Sequence, residues 1–383
     1  MPAEVQYQNS QITALWCSRN SSLGSSDGFD GIEKEGFTAA LNHYGYRSAV
    51  IIGSRLVHYS IKKAADVLGI GERGLLCPHA DHNDRIELAA LKNAIRECLA
   101  KNVHILAVVG NAGTTDCGSM DRLADMADIA HESGLHFHVD AAWGGPLLFS
   151  EHHRHKLAGI EKADSVTIDG HKQLYLPLGI GIVMLRNAEL AKAIEKQARY
   201  IVRHGSVDLG KRSMEGSRPA AALFLHAALK ITGRKGYGFL IDENIRKTQY
   251  MSERVHSLPQ FKLLANPEMN IIVYRYIPER WITKASIGKL TETGNALINH
   301  FNERLQKVQR QAGQSFVSRT TLETTRYGRD VPIVALRAVV ANPLTTEDDL
   351  DAVLNDQMEL ATKLQATKAD LGSTPRGGEA YDV

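Results

Sequence analysis

Two residues of this chain have the types and the setting that covalent chemistry on a bound aldehyde requires. Asp140 closes a β-like run in LHFHVDAAWGG (135–145), and Lys172 follows a second such run in SVTIDGHKQL (165–174). A lysine amine can condense with the aldehyde of pyridoxal phosphate, while a carboxylate can hold that cofactor's pyridine nitrogen protonated so that the ring accepts electrons. Each residue lies just past an apolar, β-branched stretch with glycine nearby, the place where an open α/β sheet presents ligand-binding groups. On residue type alone, an aspartate after a strand also serves as a helix N-cap, and a lysine in a turn also faces solvent.

The elements that must hold these groups alternate along the first half of the chain. ITALWCSRN (12–20) has helical spacing, AVIIGS (49–54) reads as a short strand ahead of His58, and IELAALKNAIRECLAKN (86–102) reads as an amphipathic helix. HILAVVG (104–110) is a strand with Thr114 and Thr115 in the loop beyond it; MDRLADMADIAHESG (120–134) is a helix whose last glycine leads into LHFHV (135–139). Strand, loop and helix alternate in this way to residue 186, which predicts an α/β fold with a mostly parallel sheet covered by helices. Helical spacing continues in 188–201 and 220–231. After Pro259, strands at 261–266, 269–277 and 331–340 mix with helices at 294–309 and 346–364, which predicts a smaller C-terminal α+β domain. The expected domains are 1–260 and 261–365, with a Gly/Pro-rich disordered tail at 366–383.

With 383 residues, 43% of them hydrophobic and 23% charged, the composition is that of a soluble globular protein. A formal net charge of +2 with scattered basic residues gives no footprint for nucleic acid. No run approaches the roughly 18 apolar residues of a membrane span, and MPAEVQYQNSQ lacks a signal-peptide layout, so a cytoplasmic protein with no membrane partner is expected. Cys17, Cys77, Cys98 and Cys117 are widely separated, as free thiols in a reducing compartment are. CPHADH (77–82) and EHHRH (151–155) gather cysteine and histidine, but zinc needs four convergent ligands and neither cluster has a partner motif; no metal is expected.

HYSIKKAADVLGIG (58–71), NAGTTDCGSMD (111–121), HVDAAWGG (138–145), DGHK (169–172), EGSRP (215–219) and SFVSRTTL (315–322) resemble the motifs of group II pyridoxal phosphate-dependent amino-acid decarboxylases. The resemblance runs from about Ile12 to about residue 360. HYSIKKAA, EGSRPAA and LRAVVANP together are most similar to the bacterial aspartate 1-decarboxylase and glutamate decarboxylase branch. It implies the pyridoxal phosphate-dependent transferase fold (fold type I), a homodimer, and a carboxy-lyase. The substrate implied is a small acidic L-amino acid, aspartate going to β-alanine or glutamate to γ-aminobutyrate. It further implies that Lys172 carries the cofactor and Asp140 faces its ring nitrogen, with Ala142 against one ring face and His58 stacked on the other. His171 is then a phosphate donor, Thr115 lies beside the phenolic oxygen, and Arg337, followed by Asn342-Pro343, binds a substrate carboxylate. Arg218 is a second candidate for that task. Outside the resemblance, a lone histidine such as His58 is more often a core histidine than a catalytic one, and an arginine after a strand such as Arg337 is usually a surface residue.

Three places depart from the family. VQYQNSQ (5–11) stands where the family has a Gly/Ser/Thr-rich phosphate cup, so the chain is expected to begin inside the family's large domain, with Asn9, Ser10 and Gln11 as the remaining donors. Asp169 stands where relatives often have asparagine, and an ionised acid cannot donate to phosphate. Val207 matches the catalytic tyrosine of animal glutamate decarboxylases, with Tyr200 offset from it. The alternative these departures support is a short, weakly active or inactive relative acting as a binding or regulatory subunit. A cysteine desulfurase or aminotransferase on the same fold is a third reading.

Overall fold

The computed structural model describes residues 3–6, 10–198, 205, 207–217, 219–286, 288–324 and 331–366. The chain divides into two compact units. The first comprises Met1–Thr248 with Pro267–Ile271 and Val340–Pro343; the second comprises Gln249–Asn266, Ile272–Val339 and Leu344–Val383.

The first unit is built on seven strands: β1 (Ala3–Gln6), β2 (Ser48–Gly53), β3 (Leu75–Leu76), β4 (Val103–Asn111), β5 (Phe137–Asp140), β6 (Ser165–Asp169) and β7 (Gly181–Leu185). They lie in the order β1-β7-β6-β5-β4-β2-β3. Pairing is parallel from β3 to β6, and β7 runs antiparallel to both of its neighbours. Central strands of such a sheet are covered on both faces, so their sequences are apolar without strict alternation. Ile52 and Val108 face one cluster with Phe137, Leu123 and Met126, whereas Ile51 and Val109 face another with Leu15 and Ile61. The helix Leu88–Ala100 buries Leu91, Ile95 and Cys98, one stripe at helical spacing. The helix Ser10–Ser22 lies across the other face, with Leu15 among the residues of β2 and β4 and Ala14 and Cys17 against Val183 and Leu185 of β7.

The second unit carries four strands, β8 (Phe261–Leu263), β9 (Ile271–Tyr276, whose first residue falls in the first unit), β10 (Ser318–Thr324) and β11 (Val331–Val339), ordered β10-β11-β9-β8. The outer pairs are antiparallel. The helices Glu292–Ala312 and Glu347–Ala366 supply its apolar stripes, among them Ile298 and Leu305, and Leu350 and Leu354.

Three expectations change. Among the described residues of 188–201, the helical spacing yields a 3-10 turn, Ala188–Ile194, because the chain then leaves its helical course: Lys196 N donates to Lys211 O at 2.7 Å, and the Glu195 carboxylate takes Lys211 and Arg212; residues 199–201 lie outside the described residues. The helix expected at 220–231 runs on from Ala222 to Ser257, broken where Gly233 adopts φ 64°. The motif SFVSRTTL (315–322) overlaps a strand, β10, for which the sequence pattern gives no expectation. The expected tail lies outside the described residues, except Ala366, which closes the last helix.

Buried histidines set an acid limit on this fold. Burial holds His104 at about 4 and His138 at about 3, against an ordinary value near 6.5. Both are neutral when folded, whereas the unfolded chain takes up protons below pH 6.5, so stability is full above that value and declines as pH falls toward 4. Between pH 7 and pH 5 each histidine should cost about 2 kcal/mol. Urea unfolding at the two pH values checks this, and His104→Gln should shrink the difference by one histidine's share; an equal loss in that variant contradicts the assignment.

Candidate active site

The carboxyl ends of β4, β5 and β6 stand side by side, with Asn111 paired to Asp140 in register. The end of β4 is pinned by buried Asp121, whose Oδ2 accepts from Asn111 N at 2.8 Å and from Asn111 Nδ2 at 3.0 Å. Asp140, 7% exposed, closes β5. Burial pushes its carboxyl up, opposed first by the charge of Lys172, then by the Ala142 N–H that reaches Oδ1 at 3.1 Å; nearby Asp169 adds to the rise and His58 opposes it.

Lys172 lies in the turn that follows β6. Its Nζ is 2.9 Å from Asp169 Oδ2 and 5.7 Å from the centre of the Trp143 ring. His171 Nε2 is 4.0 Å from the same carboxylate oxygen, and His171 Nδ1 is buried with no hydrogen-bond partner. Trp143 ties the two loops together: Gln173 Nε2 donates to its carbonyl at 2.7 Å, and its indole N–H donates to Asn270 Oδ1 at 2.7 Å. Asn270 also donates to Val340 O at 3.0 Å.

His58 follows β2 and caps the helix Tyr59–Val67 through its ring. Burial lowers its pKa, and the charged groups acting on it are Asp140, Lys172, Asp169 and Asp116. The structure therefore brings His58, Asp140, Lys172, His171 and Asp169 into one electrostatic neighbourhood. Ala142 is half-buried beside Asp140, and Thr115 is exposed in the loop after β4. Its neighbour Thr114 is the buried one, bonded to Ser119 Oγ at 2.9 Å.

Other expected residues stand elsewhere. Arg337 is on β11 in the second unit, where its Nη1 donates to Ser318 Oγ at 3.3 Å. Gln11 does not serve as a spare phosphate donor: its Nε2 donates to Thr167 Oγ1 at 2.8 Å and its Oε1 lies 2.7 Å from His138 Nε2, deep against the sheet. Ser10 is buried at the start of its helix. Asn9, Tyr200 and Arg218 lie outside the described residues, and Val207 is 94% exposed. Among the described residues no three His, Cys, Asp or Glu side chains are disposed to hold a metal ion. Sequence reasoning passed over Asp169 as the partner of Lys172, although their three-residue spacing was visible. Asn270 carried no local signal, since it reaches Trp143 from 127 positions away.

The pyridoxal-dependent decarboxylase conserved domain matches residues 38–277. The chain is 44% identical over 355 residues to aspartate 1-decarboxylase of Aliivibrio fischeri, covering 92% of this chain and 64% of that protein. It is 31% identical to L-2,4-diaminobutyrate decarboxylase of Rhizobium meliloti, covering 84% of this chain and 62% of the relative. The chain thus spans less than two thirds of the length of either. Among solved structures, mouse CSAD superposes with a TM-score of 0.83 at 26% identity, covering 94% of this chain and 72% of that one. This chain belongs to the pyridoxal-dependent decarboxylase family. The expected fold is accordingly the one found.

The family implies pyridoxal phosphate, and the residues present fit it. A buried imidazole nitrogen without a protein partner, His171 Nδ1, is a group that, carrying its proton, an anionic oxygen would satisfy. Asp140 supplies a buried carboxylate for a cationic ring nitrogen, and Lys172 supplies the amine.

The platform under this decarboxylase-family site is the polar network of Gln11, His138, Ser165 and Thr167. Gln11→Leu strands the inward-facing His138 Nε2 and the Thr167 hydroxyl in the core, so unfolding in urea should show a loss of roughly 2–4 kcal/mol. An unchanged unfolding midpoint would mean that the network contributes nothing to stability.

Proposed function

We propose that this chain removes the α-carboxylate of a small acidic L-amino acid, with aspartate as the leading substrate and glutamate the second. The products are carbon dioxide and the corresponding amine, β-alanine or γ-aminobutyrate. The observation that carries this reading is the convergence of Asp140, Lys172 and His58 beyond the carboxyl ends of β5, β6 and β2 in one sheet. The 44% identity to an aspartate 1-decarboxylase supports aspartate over the other substrates named among the relatives.

When bound, pyridoxal phosphate supplies a ring that accepts the electron pair left as carbon dioxide departs. The protein's residues do the rest. Lys172 would provide the amine that carries the cofactor, and Asp140, buried at the end of β5, would favour a protonated ring nitrogen. His58 and Ala142 would lie against the ring, His171 would donate to the phosphate, and Thr115 would lie by the ring oxygen. Asp169, 2.9 Å from Lys172 Nζ, is the anion that balances the lysine charge. Arg337 would pair with a substrate carboxylate through its planar fork and so orient the substrate.

The working form in this reading is a cytoplasmic homodimer. Leu223, Phe224 and Ile231 are 68%, 53% and 85% exposed on the helical stretch before Gly233, and Phe239 is 65% exposed after it, apolar side chains that a second copy would cover. No helix among the described residues is long and apolar enough to cross a membrane.

Replacing Arg337 with lysine keeps the charge but loses the two-pronged match to a carboxylate. One charge-assisted pairing is worth about 1.5–3 kcal/mol, so KM for aspartate should rise roughly ten- to a hundredfold in a carbon dioxide release assay. Tyrosine, which lacks a side-chain carboxylate, should be a poor substrate of the native chain. Faster release from tyrosine than from aspartate or glutamate would overturn the acidic-substrate reading and leave the family membership standing.

A further inference from the structure

His58 caps its helix in an unusual way, with the imidazole ring in the place of a hydroxyl or carboxylate. The backbone N–H of Ser60 donates to His58 Nδ1 at 3.4 Å, and Ser60 Oγ lies 2.8 Å from the same nitrogen. A backbone amide can only donate, so Nδ1 must present a lone pair. In the neutral ring the single proton then sits on Nε2; the Ser60 hydroxyl can donate to a bare Nδ1 or accept from a protonated one, so the backbone N–H is the group that selects the tautomer. The hydrogen bonds of His58 among the described residues are both made through Nδ1.

We propose that Ser60 is a positioning residue whose backbone N–H fixes His58 as the Nε2–H tautomer, so that a neutral ring offers one donor, at Nε2. The tautomer follows from the capping geometry; its use rests on the proposed cofactor site. A neutral imidazole stacked on the cofactor adds no positive charge there, which leaves the Asp140 carboxylate to answer the ring nitrogen. Burial favours the neutral form of His58, and so does the charge of Lys172; Asp140, Asp169 and Asp116 favour the imidazolium. Protonation at Nδ1 would also place an N–H against the Ser60 N–H and break the cap. The HYS sequence at 58–60 thus carries its own tautomer control, with Tyr59 packed against the His58 ring at 4.2 Å between centroids.

The test is long-range nitrogen–proton NMR of the histidine rings in the cofactor-free protein, with His58 assigned by its loss in His58→Gln. The native chain should show a pyridine-like Nδ1 and a protonated Nε2. Ser60→Pro, which removes the backbone N–H in the first turn of the helix, should bring in the other tautomer and move the His58 titration midpoint upward, because that bond was made only to the bare nitrogen. Ser60→Ala, which keeps the backbone N–H, should retain the native tautomer. A native ring protonated on Nδ1, or a Ser60→Pro ring with unchanged tautomer and midpoint, overturns the proposal. In a parallel titration with pyridoxal 5'-phosphate, Ser60→Pro should bind about three- to tenfold more weakly, the effect of one lost ordering hydrogen bond. If the native chain fails to bind the cofactor at all, the proposed function falls while the tautomer result stands by itself.

Discussion

A carboxylate buried at the end of β5 has to be compensated, and the arrangement around Asp140 follows from that requirement. Burial alone drives its carboxyl toward the neutral form; the charge of Lys172 and the Ala142 N–H work in the opposite direction. Parallel pairing places the ends of β4 and β6 on either side, so the loops carrying Asp116 and Lys172 start from neighbouring points. The chain can bring these groups together across long sequence separations because the sheet register fixes where each strand stops.

Beneath this edge the polar residues of β5 and β6 form a second constraint. His138 and Asp140 are two residues apart on β5, and Ser165, Thr167 and Asp169 repeat at the same interval on β6, so each set shares one face. On that face His138 lies 2.8 Å from Ser165 Oγ through Nδ1 and 2.7 Å from Gln11 Oε1 through Nε2, while Gln11 Nε2 donates to Thr167. Full burial keeps the imidazole neutral. The network anchors the first turn of the helix Ser10–Ser22 to the two strands that carry Asp140 and Asp169. Rigidity there matters because a carboxylate that is to meet a bound ligand must hold its place within fractions of an ångström.

Much of this was legible in the sequence. Period and capping signals placed β2, β4, β5 and β6, and the stop of each strand placed Asp140 and the Lys172 turn. Local pattern carried less where tertiary contacts decide. Residues 188–201 have helical spacing, yet within the described part, to residue 198, Glu195 is drawn to Lys211 and Arg212 and the helical turn ends at Ile194. Gln11 looked like a free donor in a polar stretch, and only the folded sheet shows both ends of its amide engaged with Thr167 and His138. Asn270 arrives beside Trp143 from a distant crossing segment, which no window of neighbouring residues can reveal. Arg337 was found through family motifs, and the first unit does not itself contain it.

The most direct test of the convergence at Asp140 and Lys172 is covalent. Incubation of the native chain with pyridoxal 5'-phosphate, reduction with borohydride and peptide mass mapping should place the pyridoxyl group on Lys172. A label spread over surface lysines, or one fixed on a different lysine, would contradict the account at its centre.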